Sequence, residues 1–138
     1  MSKLKAFLKP TKTEITDEIS ISERFLGEDG KPEKITIKSI TQEENDKLIK
    51  LSTKTKREKS QLVETFDKQQ YQARLVVACT ANPDFADSEL CEAYGVVNPL
   101  DLPGRMFLSG EYAKLVNAIM DINGFKDTEE LDEESKNS

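Results

Sequence analysis

SGEYAKLVNAIMDINGF, residues 109–125, reads as one helix and its end. Tyr112, Leu115, Val116, Ile119 and Met120 recur at i, i+3, i+4, i+7 and i+8, an apolar stripe along one helical face. Ser109 is placed to cap the N-terminus, and Gly124, just past the stripe, suits a left-handed C′ position. Residues 126–138 come next with Asp127, Glu129, Glu130, Asp132, Glu133 and Glu134, and Leu131 as the one apolar side chain. A last helix built for burial is thus joined to a tail that cannot fold alone. That suits a binding or assembly module better than an enzyme.

Working back from the final helix, the N-terminal third has a different period. Ile15, Ile19, Ile21 and Phe25 share one parity, against Thr16, Ser20, Ser22 and Arg24 on the other, which predicts a half-buried strand over Glu14 to Phe25. Gly27-Glu28-Asp29-Gly30-Lys31-Pro32 supplies turn chemistry, and Ile35 and Ile37 resume the alternation in Lys34 to Ile40. The simplest pairing is an antiparallel hairpin. Two strands alone are marginal, so its apolar face must pack on helices or on another chain, and an oligomer is compatible with this pattern.

Between hairpin and final helix, cap signals mark several shorter helices. Thr41-Gln42-Glu43-Glu44 is a capping-box sequence opening a helix with Leu48 and Leu51 on one side. Ser52 to Ser60 holds Lys54, Lys56, Arg57 and Lys59 with no apolar residue; it reads as a solvated mobile loop, with a phosphate or acidic-partner contact as the other reading. Asp67 caps a buried helix running to about Thr80, which presents Tyr71, Leu75, Ala78 and Cys79 and ends at Asn82-Pro83. Asp87 or Ser88 begins a short helix through Leu90 and Tyr94 that Gly95 can terminate, and Asn98-Pro99 is a cap with proline at the first helical position. Pro103-Gly104 is expected to interrupt the next segment, leaving Arg105-Met106-Phe107-Leu108 as a short apolar turn. The fold class is therefore α+β: an N-terminal β-hairpin, then a small bundle of about four to five helices. Residues 1–12 form a flexible basic arm, 13–125 a single domain and 126–138 an acidic disordered tail.

The composition excludes more than it specifies. With 20 Lys+Arg against 26 Asp+Glu in 138 residues, the chain carries net charge −6, which disfavours nonspecific DNA binding; no nucleic-acid partner is expected. No run is long and apolar enough for a membrane span, and the start lacks a signal-peptide core, so a cytoplasmic protein is expected. There is no histidine, which removes the commonest general base, Ser-His or Cys-His nucleophile pairs and the commonest transition-metal ligand. Cys79 and Cys91 read as free thiols, with Cys79 in the apolar run Leu75-Val76-Val77-Ala78-Cys79. No Gly-rich phosphate cradle and no calcium-loop spacing occur. No catalytic residue, cofactor or metal is assigned.

Taken in order, several short pieces resemble the XkdN-like tail assembly chaperones of phages and prophages infecting Gram-positive bacteria. The carrying residues are Ser22-Glu23-Arg24-Phe25, Asp29-Gly30-Lys31-Pro32, Ile40-Thr41-Gln42-Glu43-Glu44-Asn45, Tyr71 with Leu75-Val76-Val77-Ala78, Tyr94-Gly95-Val96, Gly110-Glu111-Tyr112 with Leu115, and Ile122-Asn123-Gly124-Phe125. The resemblance implies a small α+β protein of the bacterial host cytoplasm, made during tail morphogenesis and absent from the mature virion. It would bind the long helical tape measure protein and keep it soluble until subunits of the tail tube protein, a second partner, polymerise around it. The resemblance also implies a longer form made by programmed frameshift, and Ser135-Lys136-Asn137 is compatible with codons containing the slippery pattern A-AAA-AAY.

A partner groove is expected at Val96, Val97, Leu100, Leu102, Met106 and Phe107, an apolar cluster broken by Pro99, Pro103 and Gly104. The competing reading puts these residues in the core beneath the last helix. Two other functional classes stand beside the chaperone: a structural tail component retained in the particle, and a small nucleic-acid-binding regulator using Lys54, Lys56, Arg57 and Lys59.

Overall fold

The computed structural model describes residues 3–125. The acidic tail expected over 126–138 lies outside the described residues. The chain begins with one exposed helical turn, α1 (Lys5–Leu8), and continues through β1 (Thr16–Ile19), β2 (Ile35–Lys38), α2 (Gln42–Leu51), β3 (Thr53–Glu58), β4 (Gln61–Phe66), α3 (Lys68–Cys79) and β5 (Thr80–Asn82). It ends with α4 (Ser88–Ala93), a 3-10 turn (Pro99–Asp101), α5 (Leu102–Met106) and α6 (Ser109–Ile122). The fold is α+β with an N-terminal hairpin, as expected.

β1 and β2 pair antiparallel from Thr16↔Lys38 to Ile19↔Ile35, and both inward residues of β2, Ile35 and Ile37, are buried. β1 is shorter than the strand expected to reach Phe25. Past Ile19 the chain leaves the sheet, folds locally through an Arg24 N–H to Ser22 Oγ bond, and turns Ile21 into the core. The Gly27–Pro32 turn does form. Gly27 N–H donates to Lys31 O at 2.8 Å, and Gly30 takes the left-handed conformation at φ 76°. It closes a separate lobe over residues 20–34 instead of joining the strands directly. A third strand, β5, pairs with the other edge of β2 and makes β2 central. Three residues carry no readable period, and here they follow a helix without a break. Thr80 Oγ1 donates to Val76 O, so the helix ends where the strand starts.

In α2 the capping box is present: Thr41 Oγ1 accepts from Glu44 N–H at 3.2 Å, and Glu44 Oε1 accepts from Thr41 N–H at 3.3 Å. The inward face differs from expectation. Asn45, Leu48 and Ser52 point inward, while Leu51 is 58 % exposed. The buried polar pair is satisfied, since Asn45 Oδ1 accepts from Tyr71 OH and Ser52 Oγ donates to Leu48 O. The Ser52–Ser60 loop is also a correction. It is the first strand of a second hairpin, β3–β4, in register from Thr53↔Phe66 to Glu58↔Gln61. Lys59 and Ser60 turn it with φ of 47° and 70°, the positive pair of a type I′ turn.

Asp67 caps α3 through the Gln70 N–H, and Asp87 caps α4 through the Leu90 N–H. Pro103 does not interrupt the chain: it occupies the first turn of α5, where its missing N–H costs no helical bond, and Leu102 and Pro103 are both buried. Leu108, not Ser109, takes the cap position of α6, because the Glu111 carboxylate accepts from the Leu108 N–H at 2.8 Å. At the other end Gly124 sits at φ 75°, Phe125 N–H donates to Met120 O and Gly124 N–H to Asp121 O, a Schellman closure.

One cluster forms the core. Leu115, Val116 and Ile119 of α6 join Ile35 and Ile37 of β2, Leu75, Val76 and Cys79 of α3, Leu102 of α5, and Phe85 from the connection between β5 and α4. Ile119 has no exposed surface, so Ile119→Ala is expected to cost about 2–5 kcal/mol in a denaturant titration. Leu51→Ala should stay within about 0.5 kcal/mol, which checks the corrected face of α2.

Candidate functional site

The residue 20–34 lobe does not close tightly over the end of the core. Between it, the start of β2, Asn82-Pro83 and the end of α5 lies a recess of about 140 Å³, walled by Ile21, Phe25, Ile35, Pro83, Met106 and Phe107. Ser22, Glu33, Lys34 and Asn82 complete its lining with polar groups. Phe107 is fixed from two sides by edge-to-face contacts, with Phe25 at 5.8 Å and Phe85 at 6.1 Å between ring centroids. Met106 is only half-buried, and its unbranched thioether makes it the adaptable wall.

A single charged clamp holds this arrangement. Arg24 donates through Nη2 to Glu111 Oε1 at 2.6 Å and through Nε to Oε2 at 3.1 Å, a bidentate pair across 87 residues of sequence. Arg24 Nη2 also donates to Met106 O at 3.2 Å, and the guanidinium lies 4.9 Å from the centroid of the Phe25 ring. Hydrogen bonding from Arg24, then from Ser22 and the Leu108 amide, holds the Glu111 carboxyl at about 2. One guanidinium thereby joins the lobe, α5 and the start of α6.

The six residues expected to form one groove fall in separate places. Met106 and Phe107 meet at the recess. Leu102 is fully buried in the core, and Phe107 is nearly so. Val97, 99 % exposed, and half-buried Val96 line a shallow depression with Gly95, Asp101, Gly104 and Arg105. Leu100 borders another depression beside Asp67, Gln70 and Ala73. Sequence reasoning did not select Ile21, Phe25, Ile35 or Pro83 for the site. The available signal was Arg24-Phe25, a charged residue next to an aromatic just before a turn.

Two further ties use residues of the resemblance motifs. Asn123 Oδ1 accepts from Ile40 N–H at 2.9 Å while its Nδ2 donates to Ile119 O, fastening the end of α6 to the start of α2. Tyr71 and Asn45 join α3 to α2. No group of three or more Cys, Asp or Glu residues able to hold a metal occurs among the described residues. Burial pushes the Cys79 thiol up to about 11, so it is a poor nucleophile at neutral pH. No helix among the described residues is long and apolar enough to cross a membrane. The arrangement offers an apolar receptacle with a polar edge.

The family model for the phage XkdN-like tail assembly chaperone protein matches residues 4–136. The chain is 38% identical over 137 residues to the phage-like element PBSX protein XkdN of Bacillus subtilis (strain 168), covering 96% of this chain and 93% of that one. It is 38% identical over 123 residues to protein YqbN of the same organism, covering 87% and 83%. The crystal structure of YqbN matches the fold with a TM-score of 0.71 at 32% identity, over 88% of this chain and 96% of that one.

The clamp has a defined pH response. The folded-state value of Glu111, about 2, lies below its ordinary 4.5, so its stabilisation is complete above pH 4.5 and is lost as pH falls towards 2. Thermal melts across that interval should show Glu111→Gln less sensitive to acid than the parent chain, and less stable at neutral pH. Parallel curves for the two proteins would refute the assignment.

Proposed function

Since the chain belongs to the phage XkdN-like tail assembly chaperone family, we propose that it binds the tape measure protein and keeps that protein soluble while the tail is built. The recess carries this reading. A long helical protein waiting for its tube exposes apolar helix faces, and burying one anchoring side chain in a preformed apolar receptacle is the economical way to shield them. Met106 and Phe107 with Phe25 and Ile21 would receive that side chain. Glu33 and Lys34 at the edge would meet its polar flanks, and the net charge of −6 keeps loaded complexes apart. Val96, Val97 and Leu100 extend the proposed contact where a partner helix runs past α5. No bond is made or broken in this role.

The same reading places the protein in the bacterial cytoplasm during morphogenesis, with tail tube subunits displacing it, and absent from the finished particle. It includes a frameshift-extended form initiated at Ser135-Lys136-Asn137. Codons UCA-AAA-AAC or UCA-AAA-AAU in the gene support that form; AGC or AAG at these positions rules it out. Mass spectrometry of purified particles should not find the chain, whereas a structural tail component would be present in stoichiometric amount.

Co-expression with the tape measure protein tests the recess itself. Met106→Asp places a charge on its adaptable wall and is expected to lower co-purification about tenfold or more, equivalent to ~1.4 kcal/mol of binding free energy or greater. Leu51→Asp, on the exposed side of α2, should bind as the parent does. Circular dichroism establishes that both remain folded. Undiminished capture by folded Met106→Asp refutes the recess as the binding site.

A further inference from the structure

The β3–β4 hairpin is the least explained part of the molecule. From Lys54 to Phe66 every residue is exposed, with Leu62 at 70 % and Phe66 at 47 %. Two strands without a packed face are marginal in water, yet this hairpin keeps a full six-pair register. Its support comes from the base, where Asp67 N–H donates to Ser52 O and Phe66 packs on Tyr71 at 5.5 Å. The hairpin is also basic within an acidic protein. Lys54, Lys56, Arg57 and Lys59 outnumber Glu58 and Glu64, and among the described residues none of the four has a carboxylate within salt-bridge distance. Register puts Lys54, Lys56 and Glu58 with Gln61, Val63 and Thr65 on one face, so its two lysines sit towards the base and its one carboxylate towards the tip.

We infer that this hairpin face is the docking site for the chain's own C-terminal segment, residues 126–138. Charge complementarity selects that occupant: Asp127, Glu129, Glu130, Asp132, Glu133 and Glu134 stand against Lys126 and Lys136. Reach is sufficient. The segment starts after Phe125, beside Asn123, whose side chain accepts from Ile40 N–H immediately before α2. α2 then rises about 15 Å to the hairpin base, and β3 adds about 20 Å to its tip. Residues 126–138 span at most about 47 Å. The docked segment covers the free basic face and withholds it from other acidic partners. This contact does not depend on what the recess near Met106 receives.

A spin label placed on full-length Ser138→Cys tests the contact, since Cys79 and Cys91 are buried and escape labelling. The expected result is paramagnetic broadening of the amides of Lys54 to Lys59 at about 0.1 M salt, lost at about 1 M, where the screening length falls from ~10 to ~3 Å. Lys54→Glu with Lys56→Glu should abolish the broadening, as should neutralising Glu130, Asp132 and Glu134 to amides. No broadening at low salt overturns the inference. Broadening that fades on tenfold dilution with unlabelled protein places the segment on a second copy and overturns the intramolecular site. Hairpin shifts that appear only when an oligonucleotide is added, and are unchanged by tail neutralisation, assign the basic face to nucleic acid instead.

Discussion

Burial of the α6 stripe is the contact on which the remainder is built. Leu115, Val116 and Ile119 face Ile35 and Ile37 from the central strand and Leu75, Val76 and Cys79 from α3, so one helix holds both sheet and bundle. None of these pieces is stable alone. The three-stranded sheet is short, with strands of three or four residues, and gains its place only by covering that stripe. The two polar ties at the ends of α6, Glu111 to Arg24 and Asn123 to Ile40, then fix how far the helix can slide. Each is made by a residue within one turn of a helix end, where unpaired backbone groups already require a partner.

The site arises from that arrangement as a boundary effect. The stripe is satisfied by β2 and α3 along most of its length, but past Phe107 the chain has only the residue 20–34 lobe to lay against the core. The lobe is anchored by one guanidinium and by Ile21 and Phe25, which pack on the core, and an apolar recess stays open at its edge. A binding protein gains from such a place. The apolar wall is already assembled, so in the proposed role a partner's side chain would meet a receptacle whose ordering cost has been met in folding.

Several corrections share one physical cause. Periodicity reports burial on one side of an element, so it is silent where both sides are wet or where an element is too short to repeat. The β3–β4 hairpin has no buried face, and its register is held by backbone bonds and a Lys59-Ser60 turn, neither of which leaves an apolar pattern. β5 is three residues long. Leu51 has the right spacing but α2 rolls about its axis to bury Asn45 against Tyr71, a choice made by α3 and not by α2 itself. Pro103 reads as a breaker unless the chain is known to begin a helix there.

What the sequence by itself determined are the features whose partners lie within a few residues: the Thr41–Glu44 box, the Asp67 cap, the Gly124 closure, the α6 stripe, and through ordered motifs the family. The tertiary structure alone decided the pairing of Arg24 with Glu111, the third strand, the protruding basic hairpin, and the division of the six expected groove residues among core, depressions and recess. The reason is range. A cap or a helical stripe is encoded where it acts, whereas a recess is the space left between segments far apart in the chain, and no local stretch of sequence specifies a gap.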